Sequence, residues 1–437
     1  MRRCAQASRW TVTSTYVVGA VVAGTLLPRL ESSLLPGQLS PLTVSAAMAI
    51  YSSIASGMIA LSGIVFSITF VMVQFSATAY SPRLALWFAR DRVLAHAFGT
   101  FTATFMYAIA VLAWVGRGDT SGVPLISASV VVALLLASIG MFVALMNRVA
   151  VLQISDTLAF TGNQGRFVID AVYPALSSPC TRATVHRTHG HISQVLVHHG
   201  PPLAVEAVNV QALVRLAATA DAVVEMLVVV GDTIAESTPI LRVIGGRTAI
   251  DERRLKRAIQ LGVERTFEQD PKYAIRLLVD IAIRALSPAV NDPTTAVQSL
   301  DQIGDLLLRL SRRRIETGAF SDPRGRLRLV MAFPTWEDFL WLAFGEIHAY
   351  GASSLQVMRR LHALVGDLKD IVPGERRAGL EYWQARLRAS VALHFSDAEE
   401  RAVASRADRQ GLGVSRPESS LSVRRRPEGS VVHHGGT

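Results

Sequence analysis

The chain has 437 residues, half of them apolar and only 18 % charged, with a net charge of +10. That balance excludes a disordered chain and departs from an ordinary soluble enzyme, and the length allows two or three domains. The basic excess is almost all arginine, with lysine only at Lys256, Lys272 and Lys369. It comes without zinc-finger spacing or an aromatic RNA-binding motif, so the expected counterpart is anionic lipid headgroups, with Arg312, Arg313, Arg314 and the C-terminal arginines among the contacts, and no nucleic acid.

Hydrophobicity concentrates before about Val151, and nearly all acidic residues follow it. Four apolar segments are long enough to span a bilayer: about 10–27, 43–75, 94–115 and 123–146. The first follows Arg2, Arg3 and Arg9 without a convincing cleavage site, which favours an uncleaved signal anchor over a signal peptide. Arg83, Arg90 and Arg92 lie between the second and third segments, and Arg148 and Arg166 follow the fourth. The opposite loops hold only Arg29 and Arg117, each near an acid, Glu31 or Asp119. The positive-inside rule then predicts an inner-membrane protein with both termini cytoplasmic.

The second segment has no charge and is longer than a ~30 Å hydrocarbon core requires. Ser45, Ser52, Ser56, Gly63, Ser67 and Gln74 recur along it at steps of 7, 4, 7, 4 and 7. At about 100° per residue they share one narrow helix face. Small residues and hydroxyls on such a stripe serve close helix packing, or they line a water-filled path. With no Asp, Glu, Lys or Arg inside the second span, a proton relay is disfavoured.

Beyond the spans, residues 151–187 read as a helix, about Val149–Ala175, and then a Pro/Ser-rich break; Cys4 and Cys180 have no metal or disulfide spacing. Residues 188–247 read as a small β module. HISQVLVHHG alternates, 210–220 is a short helix, and AVVEMLVVVGDTIAESTPILRV is two strands about a Gly231-Asp232 turn. That turn is similar to one in biotinyl/lipoyl-like barrel-sandwich modules, but no lysine precedes Lys256, so no carrier lysine is present. His186, His189, His191, His198 and His199 suggest a metal at first sight; without nearby cysteines or carboxylates they read as exposed strand and turn residues, and no metal or cofactor is expected.

From Asp251 the period is helical to about residue 397. Asp270-Pro271 and Asp292-Pro293 each predict a helix start, with Asp as N-cap and Pro first in the helix. Arg276, Asp280 and Arg284 form a charged ridge at i, i+4, i+8 on an otherwise apolar helix, to which Asp301, Asp305 and Arg309 are candidate partners. The following Ser287, Asn291 and Asp292 belong either to a plain helix connector or, with the ridge, to a site for a polar ligand or partner. Thr335 and Asp338 predict a capping box ahead of an apolar face starting at Trp336, with Glu337, Glu346 and His348 on a solvated face. Residues 398–437, ending near Arg424, Arg425 and Arg426, read as a disordered basic tail.

Three strings, SGMIALSGIVFSITFVMVQFSATAYSPRLALWFARDR, LGVERTFEQDPKYAIRLLVDIAIRALSPAVNDPTTAVQSLDQIG and FPTWEDFLWLAFGEIHAYG, resemble the DUF2254 family of bacterial predicted membrane proteins. The resemblance runs from about residue 10 to 395 and is most specific over Arg284–Ala296. The sequence departs from the family at Thr294, where phenylalanine is usual, and at His191, where tyrosine is usual. The resemblance implies a membrane protein with a cytoplasmic domain and no particular reaction.

The expected fold is therefore an α-helical membrane domain of four helices over 1–150, with an α+β cytoplasmic domain made of the β module and a helical bundle over 248–397. The expected function is an oligomeric channel or transporter-like protein. Its partners would be the bilayer, further copies of itself, and a small ion or polar ligand. The alternative is a non-conducting sensor or scaffold acting through its helical domain. No Walker loop, dinucleotide fingerprint, metal motif or nucleophile–base pair suggests an enzyme.

Overall fold

The computed structural model describes residues 2–35, 40–79, 92–117, 122–150, 154–176, 190–315 and 318–414. Arg83, Arg90, Cys180, His186, His189 and the arginines at 424–426 lie outside them. The chain divides into two compact units, Met1–Phe160 and Thr161–Thr437.

The first unit is four apolar helices: α1 (Arg2–Leu34), α2 (Val44–Ala79), α3 (Arg92–Val115) and α4 (Leu125–Ala150). Each carries a stretch long and apolar enough to cross a membrane. The α1 stretch, Val12–Leu34, runs past the expected end at residue 27, because Pro28 does not break the helix. α3 is central and packs against the other three. Half of its apolar window is buried, against 17–22 % for the rest, so α1, α2 and α4 keep broad outward faces.

Two glycines permit this packing. A Cβ on Gly24 would sit 2.7 Å from that of Ala110, and one on Gly99 would sit 2.9 Å from Tyr16 Cδ2. Thr104 Oγ1 and Ser138 Oγ, 2.8 Å apart, tie α3 to α4. Gly99→Val is expected to destabilise the bundle by about 1–3 kcal/mol through overpacking. Thermal unfolding in detergent reads the loss, and an unchanged midpoint would show that Tyr16 moves aside freely.

The second unit begins within α5 (Ile154–Val172), the helix expected after the last span. Its β part has a five-stranded sheet in the order β1 (Ile192–Val197), β5 (Pro239–Gly245), β3 (Ala222–Met226), β8 (Leu327–Val330) and β7 (Ala319–Ser321). All neighbours are antiparallel except β3 and β8. A three-stranded sheet runs β4 (Thr233–Ile234), β2 (Leu203–Val208), β6 (Ile259–Gly262). Helix α6 (Val210–Thr219) covers their shared core with Leu213 and Ala217.

The expectation of helices alone from Asp251 is corrected at three strands. After α7 (Glu252–Arg257), the period-two stretch Ile259–Gly262 pairs with β2, whose other neighbour is the short β4. β7 and β8 add two strands from 319–330, so the sheet begun within 188–247 is completed by residues far beyond it. The remaining helices are α8 (Pro271–Ala285), α9 (Pro293–Ser311), α10 (Trp336–Gly351), α11 (Leu355–Ile371), α12 (Arg377–His394) and α13 (Ala398–Ser405).

α13 is also a correction, since a disordered tail was expected from residue 398. Asp397 caps it through the Glu399 and Glu400 amides, Ala404 is buried, and Arg359 Nε donates to the Val403 carbonyl. His348, expected on a solvated face, is buried and edge-on to Trp383. The capping box of Thr335 and Asp338 forms as expected.

Arg328, itself buried, joins β8 to the turn before β3 through Asp322 (2.9 Å) and Asp221 (2.9 Å). Its hydrogen bonds hold both carboxyls below their ordinary value. A depressed folded pKa means that this stabilisation is present above the ordinary carboxylate range and is lost as pH falls through the depressed values. Below about pH 4, stability of this unit is therefore expected to drop in denaturant titrations. Arg328→Met should flatten that acid limb, and an unaltered pH slope would contradict the linkage.

Candidate functional site on the second helix

The six stripe residues of α2 all lie on its exposed surface. The face that α2 turns to the rest of its bundle is a different one, made of Ala47, Tyr51, Ala55, Met58 and Val65. At about 100° per residue the two faces lie roughly 140° apart. Ser52, Ser56, Gly63 and Ser67 are therefore not spent on packing against the other described helices. A Cβ added to Gly63 would meet nothing within 4 Å, and the same holds for Gly57.

The hydroxyls differ in how they are satisfied. Ser67 Oγ donates back to the Gly63 carbonyl at 3.0 Å, and Ser45 pairs with Thr43 at the helix start. Ser52 and Ser56, near the middle of the Val44–Val71 stretch, have no hydrogen-bond partner among the described residues. Exposed Ile59, Ile64, Phe66 and Phe70 flank the stripe. Their apolar surface suits lipid; a hydroxyl without a partner does not, since burying one in a medium that cannot bond it costs about 2–7 kcal/mol.

The stripe also has a longer order. Ser45, Ser56 and Ser67 are 11 apart, as are Ser52, Gly63 and Gln74. Eleven residues fill three turns at about 3.67 per turn, close to the helix's own period, so the stripe runs nearly along the axis. From Ser45 to Ser67 it extends roughly 33 Å at ~1.5 Å per residue, the thickness of a hydrocarbon core.

The second expected site is more self-contained than the sequence suggested. Arg276 bonds Asp280 Oδ1 at 2.7 Å and grips both carboxylate oxygens of Glu346 on α10. Those bonds raise the guanidinium's pKa and lower that of Glu346. Arg284, half-buried, has no ion pair among the described residues. Ser287 Oγ donates to the Arg284 carbonyl at 2.7 Å. Asp292 caps α9 through the Thr295 amide and hydroxyl, and Asn291 turns the chain at φ +47°. These contacts serve a connector.

Asp301, Asp305 and Arg309 do not meet the ridge. Asp301 holds Arg360 (2.8 Å), Asp305 holds Arg166 (2.5 Å), and Arg309 joins Arg313 on Asp170 of α5. Arg313 and Arg314, expected at lipid headgroups, instead bond the carbonyls of Tyr173 and Leu176. His198, expected to be exposed, is buried where its ring contacts the Pro201 carbonyl, whereas His199, which contacts Glu236, and His191 are exposed as expected.

Sequence reasoning missed Glu31. Read as a loop acid, it lies in the last turns of α1, 4 % exposed. Its Oε1 accepts from the Ile126 amide (2.6 Å), and its Oε2 accepts from the Ser127 amide and hydroxyl (both 2.9 Å). It thus caps α4 from 95 residues away, where the free amides favour negative charge. An acid closing an apolar span was the available signal; its partner was not readable.

The family model described as Predicted membrane protein (DUF2254) matches residues 6–367. The chain is also 26 % identical over 394 residues to the uncharacterized proteins Mb1321c of Mycobacterium bovis and Rv1290c of Mycobacterium tuberculosis, covering 88 % of this chain and 74 % of each relative. No solved structure matches. The chain belongs to the DUF2254 family of membrane proteins.

Proposed function

We propose that this membrane protein self-associates with the stripe face of α2 turned toward a common axis, where it lines a channel or transporter-like path, in the inner membrane with both termini cytoplasmic. The observation that carries the reading is the outward position of the stripe on a single chain, with Ser52 and Ser56, near mid-span, lacking partners among the described residues. In a bilayer such a face is covered either by another copy or by water. Helices crossing at a steep angle meet over a few turns only. A stripe that spans about 33 Å along the axis suits near-parallel copies arranged about a common axis instead. The Thr161–Thr437 unit would then gate or sense.

The rival reading placed a ligand on Arg276, Asp280, Arg284, Ser287, Asn291 and Asp292. It has less support, because Arg276 is already engaged with Asp280 and Glu346, and Asp292 with Thr295. The test is ion flux through the full-length protein in liposomes. Flux under voltage or an osmotic step is the expected result. A silent protein that still assembles would move the reading to a scaffold.

A further inference from the structure

The α+β unit contains a cavity of about 400 Å³, within the range of small-ligand pockets, roughly 300–1,000 Å³. Tyr173, Phe320, Met331 and Phe333 give it apolar walls. Lys272, in the first turn of α8, lines it too.

Lys272 is distinctive among the lysines. Lys256 pairs with Glu252 and Lys369 with Glu381, whereas Lys272, half-buried, has no ion pair or hydrogen bond among the described residues. Two carboxylates line the same cavity. Asp270, 2 % exposed, expends its Oδ2 on Arg265 Nε (3.0 Å) and Nη2 (2.5 Å). That pair occupies the space beside Gly231 where a Cβ would lie, and it explains why Asp270 starts α8 without a side-chain cap. Its Oδ1 is buried and has no hydrogen-bond partner among the described residues. Glu268 is exposed.

We propose that this cavity binds a small amphipathic carboxylate, with its apolar body against Tyr173, Phe320, Met331 and Phe333 and its anionic head on Lys272. A half-buried ammonium beside apolar walls gains most from an anion that brings its own hydrophobic surface, since a charge-assisted hydrogen bond strengthens as water is excluded. The inference is independent of any path through the membrane.

The test is calorimetric titration of the full-length protein in lipid nanodiscs with 3-phenylpropanoate, with empty nanodiscs subtracted. 3-Phenylpropylamine is the probe of opposite charge. Saturable binding of the carboxylate is expected, about tenfold weaker in Lys272→Gln and largely kept in Lys272→Arg. Val230→Trp, which adds bulk to the lining, should abolish it. Lys272→Gln is expected to lower the unfolding midpoint only slightly, because the ammonium makes no hydrogen bond or ion pair among the described residues and acts on Asp270 through its charge alone. No saturable binding to wild type would overturn the proposal. So would equal binding by Lys272→Gln, or preference for the amine, which would place the head group on a carboxylate.

Discussion

Glu31→Ala is expected to destabilise the four-helix unit by about 3–5 kcal/mol. The side chain is 4 % exposed, and its carboxylate meets two amides and a hydroxyl at the start of α4. Hydrogen bonds to a charged group contribute about 1.5–3 kcal/mol each, and removing the acceptor leaves those donors unpaired. Tyr51 and Tyr107 are buried in the core of the same four-helix unit. Glu31→Gln keeps an acceptor oxygen but loses the charge, so it should fall between alanine and wild type. Thermal unfolding in detergent provides the measurement. A loss under about 1 kcal/mol for alanine would mean that the α4 amides find other partners.

Much of the architecture was legible because it depends on local pattern. The four spans follow from uncharged apolar length, and the Thr335–Asp338 box and the Asp292 cap follow from short-range polar chemistry. What stayed hidden depends on distant pairing. β8 joins β3 across about a hundred residues, so nothing near Leu327 announces its place in the sheet. The partners of Asp301, Asp305 and Arg309 lie on α11 and α5 rather than on the neighbouring α8 ridge. Asp270 shows a local rule giving way: Asp before Pro predicts a cap, yet Arg265 takes the carboxylate, and burial raises its pKa. For the stripe, periodicity located the face, but only the packing of α2 could tell inward from outward.

Ser56→Leu with Ser67→Leu is expected to lower ion flux by about tenfold or more while leaving assembly intact. Both side chains lie on the outward face of α2, so leucine displaces nothing within the chain. In a path it creates an apolar constriction, which gates by excluding water. Loss of flux together with loss of assembly would make the stripe a packing surface only.

The central claim is that this face turns toward the same face of other copies across a shared path. Single cysteines placed in a Cys4→Ser, Cys180→Ser background test it most directly, by oxidative cross-linking in native membranes. Ser52→Cys, Ser56→Cys and Ser67→Cys should form disulfide-linked dimers readily, and Ile64→Cys, on the lipid-directed side, should not. Cross-linking at Ile64 equal to or above that at the stripe would contradict the account.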